Sequence, residues 1–138
     1  MQNKMIYLTA IMFLICIVFS GCSGNRGYTS SRLIVDVKGM DHFDAEVIDS
    51  SGKVAVVFYT TVNPTCTKIS PILDELAEEL EGNLKVVTVN CRRNNDLLLK
   101  YEIDAVPRFV FFEDGEVVEG PVMIDDADEL RGLFAEHV

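Results

Sequence analysis

A nearly continuous apolar run at residues 54–59 is followed, after a short gap, by Asn63-Pro64 and an amphipathic stretch. Such a run is typical of a strand that is buried on both faces of a sheet covered by helices. Asparagine is a favoured N-cap and proline a favoured first helical residue, so the next helix is predicted to begin at Pro64. Apolar residues at helical spacing continue this helix to about residue 81. A buried strand that leads at once into a long helix predicts an α/β domain.

The other predicted elements alternate in the same way along the chain and then end in a hairpin. Strands are predicted at residues 33–37 and 84–89, and helices at 41–48 and 95–101. An Asp114-Gly115 turn joins the hairpin strands 108–112 and 116–118, and a last helix covers 126–137. Together these elements predict an α/β fold with a mixed central sheet of about five strands flanked by about four helices.

The first residues of the chain have the pattern of an export signal. Lys4 precedes an apolar run at residues 5–19, and Ser20-Gly21 then leads to Cys22. The run is shorter than the roughly 20 residues of a membrane-spanning helix. The segment resembles the bacterial lipoprotein signal, which implies that Cys22 becomes the lipidated first residue of the mature chain. An uncleaved signal anchor is the alternative.

This interpretation sets the domain organisation and the location that we expect. Residues 1–21 are the signal peptide, residues 22–31 a lipidated and flexible linker, and residues 32–138 the folded domain. The protein is then held at a membrane of the cell envelope by the lipid on Cys22. The domain faces the extracytoplasmic side.

Charge and histidine content limit the classes of partner. The chain has 12 basic and 22 acidic residues, a net charge of −10, which argues against nucleic acid as a partner. His42 and His137 lie far apart, and no spacing of histidine, cysteine and carboxylate residues indicates a metal site. No cofactor is predicted.

Two thiols remain for chemistry, because Cys16 lies in the predicted signal and Cys22 would carry lipid. Cys66 is near the start of the long helix, where the helix dipole favours a thiolate. Cys91 follows the strand predicted at residues 84–89. The two thiols could pair in an oxidising compartment, although a buried cysteine that acts as a small apolar residue is the alternative.

Three segments resemble the thioredoxin family. The first is the strand 54–59, which runs through Cys66 into the helical segment 69–76 with its internal proline; the second is 101–107, which ends in Val106-Pro107; the third is 111–117. The resemblance covers nearly all of residues 32–138 and implies a thioredoxin-like fold. It also implies that Pro107 is the family's cis-proline.

The resemblance breaks at the active site. The family has a tryptophan followed by Cys-x-x-Cys, where this chain has Val62-Asn63-Pro64-Thr65-Cys66. Asn63 therefore stands at the position of the attacking cysteine, Cys66 at that of the resolving cysteine, and Val57 at that of the buried carboxylate. An asparagine cannot attack a disulfide, so a standard dithiol cycle is not expected.

A binding role is still implied beside Pro107. In the family, the residue before the cis-proline exposes its backbone, so that an extended polypeptide can pair with it like an added strand. Asn63, Val106 and Pro107 are the candidate substrate-binding residues. For Asn63 a purely structural role as helix N-cap is the alternative, and for Pro107 a role as a turn element.

Two hypotheses of different class follow. In the first, the domain binds extended polypeptides that carry thiols or disulfides, and acts as an atypical single-thiol oxidoreductase through Cys66, with Cys91 as candidate resolving residue. In the second, it is a redox-silent binding or assembly module that uses the same surface without covalent chemistry.

Overall fold

The computed structural model describes residues 28–138. The predicted signal peptide and Cys22 lie outside this range. Residues 28–138 form five strands and four α-helices, and the first of these helices continues into a π-helical segment at Asp44–Ile48. In chain order they are β1 (Val35–Asp36), α1 (Met40–Phe43), β2 (Lys53–Tyr59), α2 (Pro64–Glu79), β3 (Lys85–Asn90), α3 (Asn95–Lys100), β4 (Arg108–Glu113), β5 (Glu116–Val122) and α4 (Ala127–Glu136).

The strands form one mixed sheet in the order β1-β3-β2-β4-β5. Strand β3 is parallel to β1 and β2, whereas β4 is antiparallel to β2 and β5. This architecture confirms the predicted fold class. Strand β2 is the central strand, and six of its seven residues are buried, as the unbroken apolar run predicts.

Two predicted elements differ from the structure in extent. Only Val35 and Asp36 of the predicted strand 33–37 pair with β3 as a strand, and the Val37 N–H continues the contact to the Thr88 carbonyl at 2.9 Å. The predicted helix 41–48 is α-helical only at its start and then widens into the π-helical segment. Alternation and capping residues predict that an element exists, but they do not predict how far its pairing or helical type extends.

The sheet separates two apolar cores. One core packs between the sheet and helices α2 and α4, and the other lies on the opposite face with α1 and α3. Representative residues of the first are Val57, Leu73 and Phe134, and of the second Phe43, Phe58 and Phe112. Because both faces are covered, the sheet holds the carboxyl ends of β2 and β3 in a fixed relation to the start of α2.

The hairpin between β4 and β5 forms at the predicted turn. Asp114 and Gly115 both have positive φ, at 50° and 82°. Glycine is required at the second position, because a Cβ at Gly115 would lie 2.3 Å from the Ile48 carbonyl oxygen. The Asp114 carboxylate also accepts a hydrogen bond from the Gly52 N–H at 2.8 Å, which ties the turn to the start of β2.

Candidate functional site at the start of helix α2

Asn63 caps helix α2. Its backbone is extended, its side-chain Oδ1 accepts a hydrogen bond from the Cys66 N–H at 3.0 Å, and Pro64 is the first helical residue. The Asn63 carbonyl accepts from the Thr67 N–H at 3.1 Å, which closes the first helical turn. These contacts confirm the predicted N-cap role, in which the side chain satisfies one of the helix's unpaired N–H groups.

The same side chain makes a second contact that the sequence did not predict. Asn63 Nδ2 donates a hydrogen bond to the Val106 carbonyl at 3.3 Å. The Val106–Pro107 peptide bond is cis, Pro107 is buried and Val106 is half-buried. The structure thus brings the three predicted binding residues together, and we name Asn63, Val106 and Pro107 the Val106 surface.

The backbone of Val106 is only partly engaged. Its carbonyl has the contact with Asn63, whereas its N–H donates to no group within residues 28–138. A half-buried backbone donor without a protein partner is free to bond to water or to a ligand.

Cys66 is fully buried, with 0% of its surface exposed. Burial raises the pKa of its thiol, and the backbone amides of Thr60 and of Cys66 itself oppose that rise without cancelling it. Desolvation therefore outweighs the helix start, whose partial charge favours the thiolate.

Cys91 lies directly after β3, where its N–H donates to the Tyr59 carbonyl at 2.9 Å. It is half-buried, and burial together with the nearby Cys66 raises the pKa of its thiol to about 11. Both cysteines are free thiols. The structure therefore brings Cys66 and Cys91 to the same end of the sheet, close enough for the charge on one to affect the other.

Tyr28 covers this region, although the sequence pattern assigns it to a flexible linker. Its ring stacks on Tyr59, with the centroids 3.8 Å apart and the planes at 12°, and its hydroxyl donates to the Cys66 carbonyl at 2.6 Å. The Ser70 hydroxyl donates to the Tyr28 carbonyl. A signal for this was present, because Tyr28 is the sole aromatic residue of the predicted linker.

The residues after Tyr28 are also fixed to helix α2. The Asp74 carboxylate accepts hydrogen bonds from the N–H groups of Ser30 and Ser31, at 3.0 and 2.8 Å. The final part of the predicted flexible linker therefore packs on the domain. We name the group Tyr28, Tyr59, Cys66 and Cys91 the thiol side.

A carboxylate does lie near the thiol side, but it comes from β1. Asp36 Oδ1 accepts hydrogen bonds from the Tyr59 hydroxyl at 3.0 Å and from the Thr88 hydroxyl at 2.8 Å. These bonds hold the carboxylate among neutral donors of the sheet. Its partners are hydroxyl groups, and neither is a cysteine sulfur.

Neither a metal site nor a membrane-spanning helix is found in the part of the chain that the structure covers. No cluster of three or more histidine, cysteine or carboxylate residues in 28–138 could hold a metal ion. No helix in the same range is long and apolar enough to cross a membrane.

Comparison with known proteins agrees with this geometry. The family model named Thioredoxin matches residues 34–135. The chain belongs to the thioredoxin family. Thioredoxin C-2 of Corynebacterium nephridii is 37% identical over 98 residues, which cover 71% of this chain and 91% of that protein.

Two further matches extend this relation. Thioredoxin-T of Drosophila melanogaster is 33% identical over 106 residues, covering 76% of this chain and 67% of that protein. Among solved structures, a mutant thioredoxin from Halobacterium salinarum is similar with a TM-score of 0.66 and 29% identity. That match covers 75% of this thioredoxin-family chain and 89% of the solved one.

Proposed function

We propose that this thioredoxin-family protein binds extended polypeptides at the Val106 surface and that binding does not require a thiol. We further propose that it does so at the extracytoplasmic side of a cell-envelope membrane, held there by a lipid on Cys22.

The observation that supports the binding role is the partly engaged backbone of Val106. Its N–H has no partner within residues 28–138, and its carbonyl has one long hydrogen bond. An extended segment can add to such a backbone by exchanging N–H and C=O bonds, as strands do at a sheet edge. Main-chain pairing of this kind needs no cysteine in either partner.

The state of Cys66 supports binding without covalent chemistry. A thiol exchanges with a disulfide as its thiolate, and the attacking sulfur has to reach the target. Cys66 is fully buried and burial raises the pKa of its thiol. Burial therefore disfavours both the ionisation of this thiol and its contact with a substrate disulfide.

The proposed anchor rests on the sequence alone. Lys4, the apolar run and Cys22 form the pattern of a lipoprotein signal. Growth with labelled palmitate tests it: label in the wild type and none in Cys22→Ala is the expected result. Label in both proteins, or in neither, would overturn the lipid assignment.

The binding role can be tested with one probe and two readouts. The probe is a short, cysteine-free, uncharged peptide of alternating threonine and valine residues with a neutral fluorophore. Its affinity is measured by fluorescence anisotropy for the wild type and for the double variant Cys66→Ala/Cys91→Ser. Equal affinity is expected, because main-chain pairing does not involve sulfur.

The binding position is then read from backbone amide signals in nuclear magnetic resonance spectra. The Val106 signal should shift as the peptide is added, whereas that of Val118, an exposed residue of the edge strand β5, should not. A shift at Val118 without one at Val106 would place binding at the sheet edge and overturn the proposal.

Thiol exchange through a Cys66/Cys91 pair is the second candidate, because both cysteines are free and Cys66 contributes to the raised pKa of Cys91. Reduction of a substrate disulfide would oxidise both thiols to one Cys66–Cys91 disulfide and release two substrate thiols. Cys91→Ser should then trap a mixed disulfide on Cys66, and Cys66→Ala/Cys91→Ser should trap none. Absence of any trapped species in Cys91→Ser would exclude this candidate.

A further inference from the structure

The Asn63 carboxamide joins two parts of the chain that are distant in sequence. Its oxygen accepts from the Cys66 N–H at 3.0 Å, and its nitrogen donates to the Val106 carbonyl at 3.3 Å. The first bond starts helix α2 and the second reaches the segment before Pro107. The amide oxygen therefore caps the helix, and the amide nitrogen contacts Val106.

The two bonds differ in strength. N–H···O bonds in proteins cluster near 2.9–3.0 Å and weaken as the distance grows, so the bond to Val106 is the weaker of the two. The cap bond holds Oδ1 in place, and a small rotation about it moves Nδ2 away from Val106. The contact with Val106 can thus open while the helix stays capped.

An added strand would compete for the atom that Asn63 engages. Strand pairing at Val106 needs its N–H as donor and its carbonyl as acceptor. The N–H has no partner within residues 28–138, but the carbonyl already accepts from Asn63. A ligand therefore meets one open group and one group that the protein's own amide covers.

We propose that Asn63 is a gate of the Val106 surface: its carboxamide already bonds to the Val106 carbonyl, and an extended polypeptide gains the full strength of that acceptor only by displacing it. The inference rests on the proposed function, since it concerns the affinity of the same surface. In this role Asn63 lowers the affinity of any segment that pairs with the Val106 carbonyl.

Two substitutions separate the gate from the cap. Asn63→Ser keeps a neutral side-chain acceptor for the helix start but is too short to reach Val106. Asn63→Asp keeps the acceptor at full length and replaces the donor with an oxygen. Both variants lose the contact with the Val106 carbonyl and retain a favoured N-cap.

Asn94 offers a matched control. Its side chain also bridges two backbone groups, accepting from the Gly39 N–H at 3.0 Å and donating to the Asn90 carbonyl at 2.9 Å. It has no contact with Val106. Asn94→Ser therefore removes a similar amide bridge without touching the Val106 surface.

The experiment measures the affinity of the full-length protein for the threonine-valine peptide described above. We expect Asn63→Ser and Asn63→Asp to bind about three- to tenfold tighter than wild type, because one competing hydrogen bond is removed. Asn94→Ser should bind as wild type does. In the wild type, the Asn63 side-chain amide signals should shift together with the Val106 amide as peptide is added.

The outcomes distinguish this inference from the function on which it rests. If the wild type binds at Val106 but both Asn63 variants bind equally or more weakly, the gate is wrong and the binding role stands. If Asn94→Ser also binds tighter, loosening of the fold explains the gain and the gate is wrong. If no protein binds the peptide at Val106, the proposed function fails, and the gate with it.

Discussion

The thiol side and the Val106 surface lie on either side of Asn63 and differ in how completely the protein closes them. On the thiol side, a stacked tyrosine pair and a hydrogen bond from Tyr28 cover the first turn of helix α2, and Cys66 has no exposed surface. At the Val106 surface, Val106 is half-buried, and its carbonyl accepts one long hydrogen bond from Asn63 at 3.3 Å.

The difference indicates that recognition and thiol chemistry have separate requirements in this scaffold. Covalent exchange needs an exposed sulfur that ionises, whereas Cys66 is buried and burial raises the pKa of its thiol. Strand pairing needs backbone groups that are not already engaged, and the Val106 N–H has no partner within residues 28–138. If the proposed function is right, this thioredoxin-family domain binds polypeptides without using its thiols.

The largest effect on the free energy of unfolding is expected from removing the Tyr59 ring, which stacks on Tyr28 in the thiol side. Tyr59 is buried beneath Tyr28, and its hydroxyl bonds to Asp36. Tyr59→Ala should lower the free energy of unfolding by about 3–5 kcal/mol, as expected for deletion of a buried aromatic ring. Urea unfolding followed by circular dichroism measures this change.

Val106→Ala is the matched change on the other surface. It removes two methyl groups from a half-buried side chain and should cost about 1 kcal/mol. If Val106→Ala destabilised the domain as much as Tyr59→Ala, the Val106 surface would be packed as tightly as the thiol side, and the contrast between the two regions would be wrong.

The next effect concerns access to the Cys66 thiol. Tyr28→Ala removes a stacked ring and a hydrogen bond, which should favour opening and speed modification of Cys66 by a neutral maleimide about tenfold. Mass spectrometry of the Cys66 peptide gives the rate for this cysteine alone. Tyr28→Phe keeps the stacking and should speed labelling only about twofold to threefold.

An unchanged rate in Tyr28→Ala would show that Tyr28 is not the cover of the thiol side. The Cys91 peptide, followed in the same samples, reports whether the whole domain has loosened, since its labelling should change less than that of Cys66.

A smaller effect is expected from the cap that joins the two regions. Asn63→Ala removes both side-chain hydrogen bonds and should lower the free energy of unfolding by about 1 kcal/mol. Asn63→Ser keeps a capping oxygen and should stay within a few tenths of a kcal/mol of wild type. If alanine were as well tolerated as serine in urea unfolding, the cap would contribute nothing to stability.

The last effect concerns the titration of Cys91, and it is visible only at alkaline pH. The pKa of this thiol is raised from 9.0 to about 11 on folding, so above pH 9 the unfolded chain loses the proton before the folded one does. This contribution to stability is complete below pH 9 and is lost as the pH rises to 11. Cys91→Ala should therefore flatten the fall in unfolding free energy across that window.

Other groups act in the same direction and define the control. Burial also raises the pKa of the Tyr28 and Tyr59 hydroxyls, so a residual fall at high pH should persist in Cys91→Ala. An identical pH profile for wild type and variant would mean that Cys91 titrates alike in the folded and unfolded chains.

Much of the fold was predictable because its signals lie within single elements. The apolar run of β2, the Asn63-Pro64 start of α2 and the Asp114-Gly115 turn each act on neighbouring residues. The limits of β1 were not predictable in this way. Its two-residue pairing depends on where β3 lies in the folded domain, which local sequence does not determine.

The candidate site was predictable only in part. The sequence marked Asn63, Cys66, Cys91, Val106 and Pro107, and the structure places them around one end of the sheet. Nothing in the sequence indicated that the Asn63 amide reaches Val106. The composition of residues 22–31 predicted a flexible linker and so placed Tyr28 outside the folded domain. Both contacts join residues about 40 positions apart.

The sequence by itself determined the order of strands and helices, the capped start of α2 and the identity of the thiols beside it. Local periodicity and capping chemistry act over a few residues, so they can be read from a short stretch of chain. Only the tertiary structure decided that Cys66 is sealed beneath Tyr28 while the Val106 N–H keeps no partner within residues 28–138. Burial and hydrogen-bond partners depend on which distant segments meet, and that is fixed when the two cores close on the sheet.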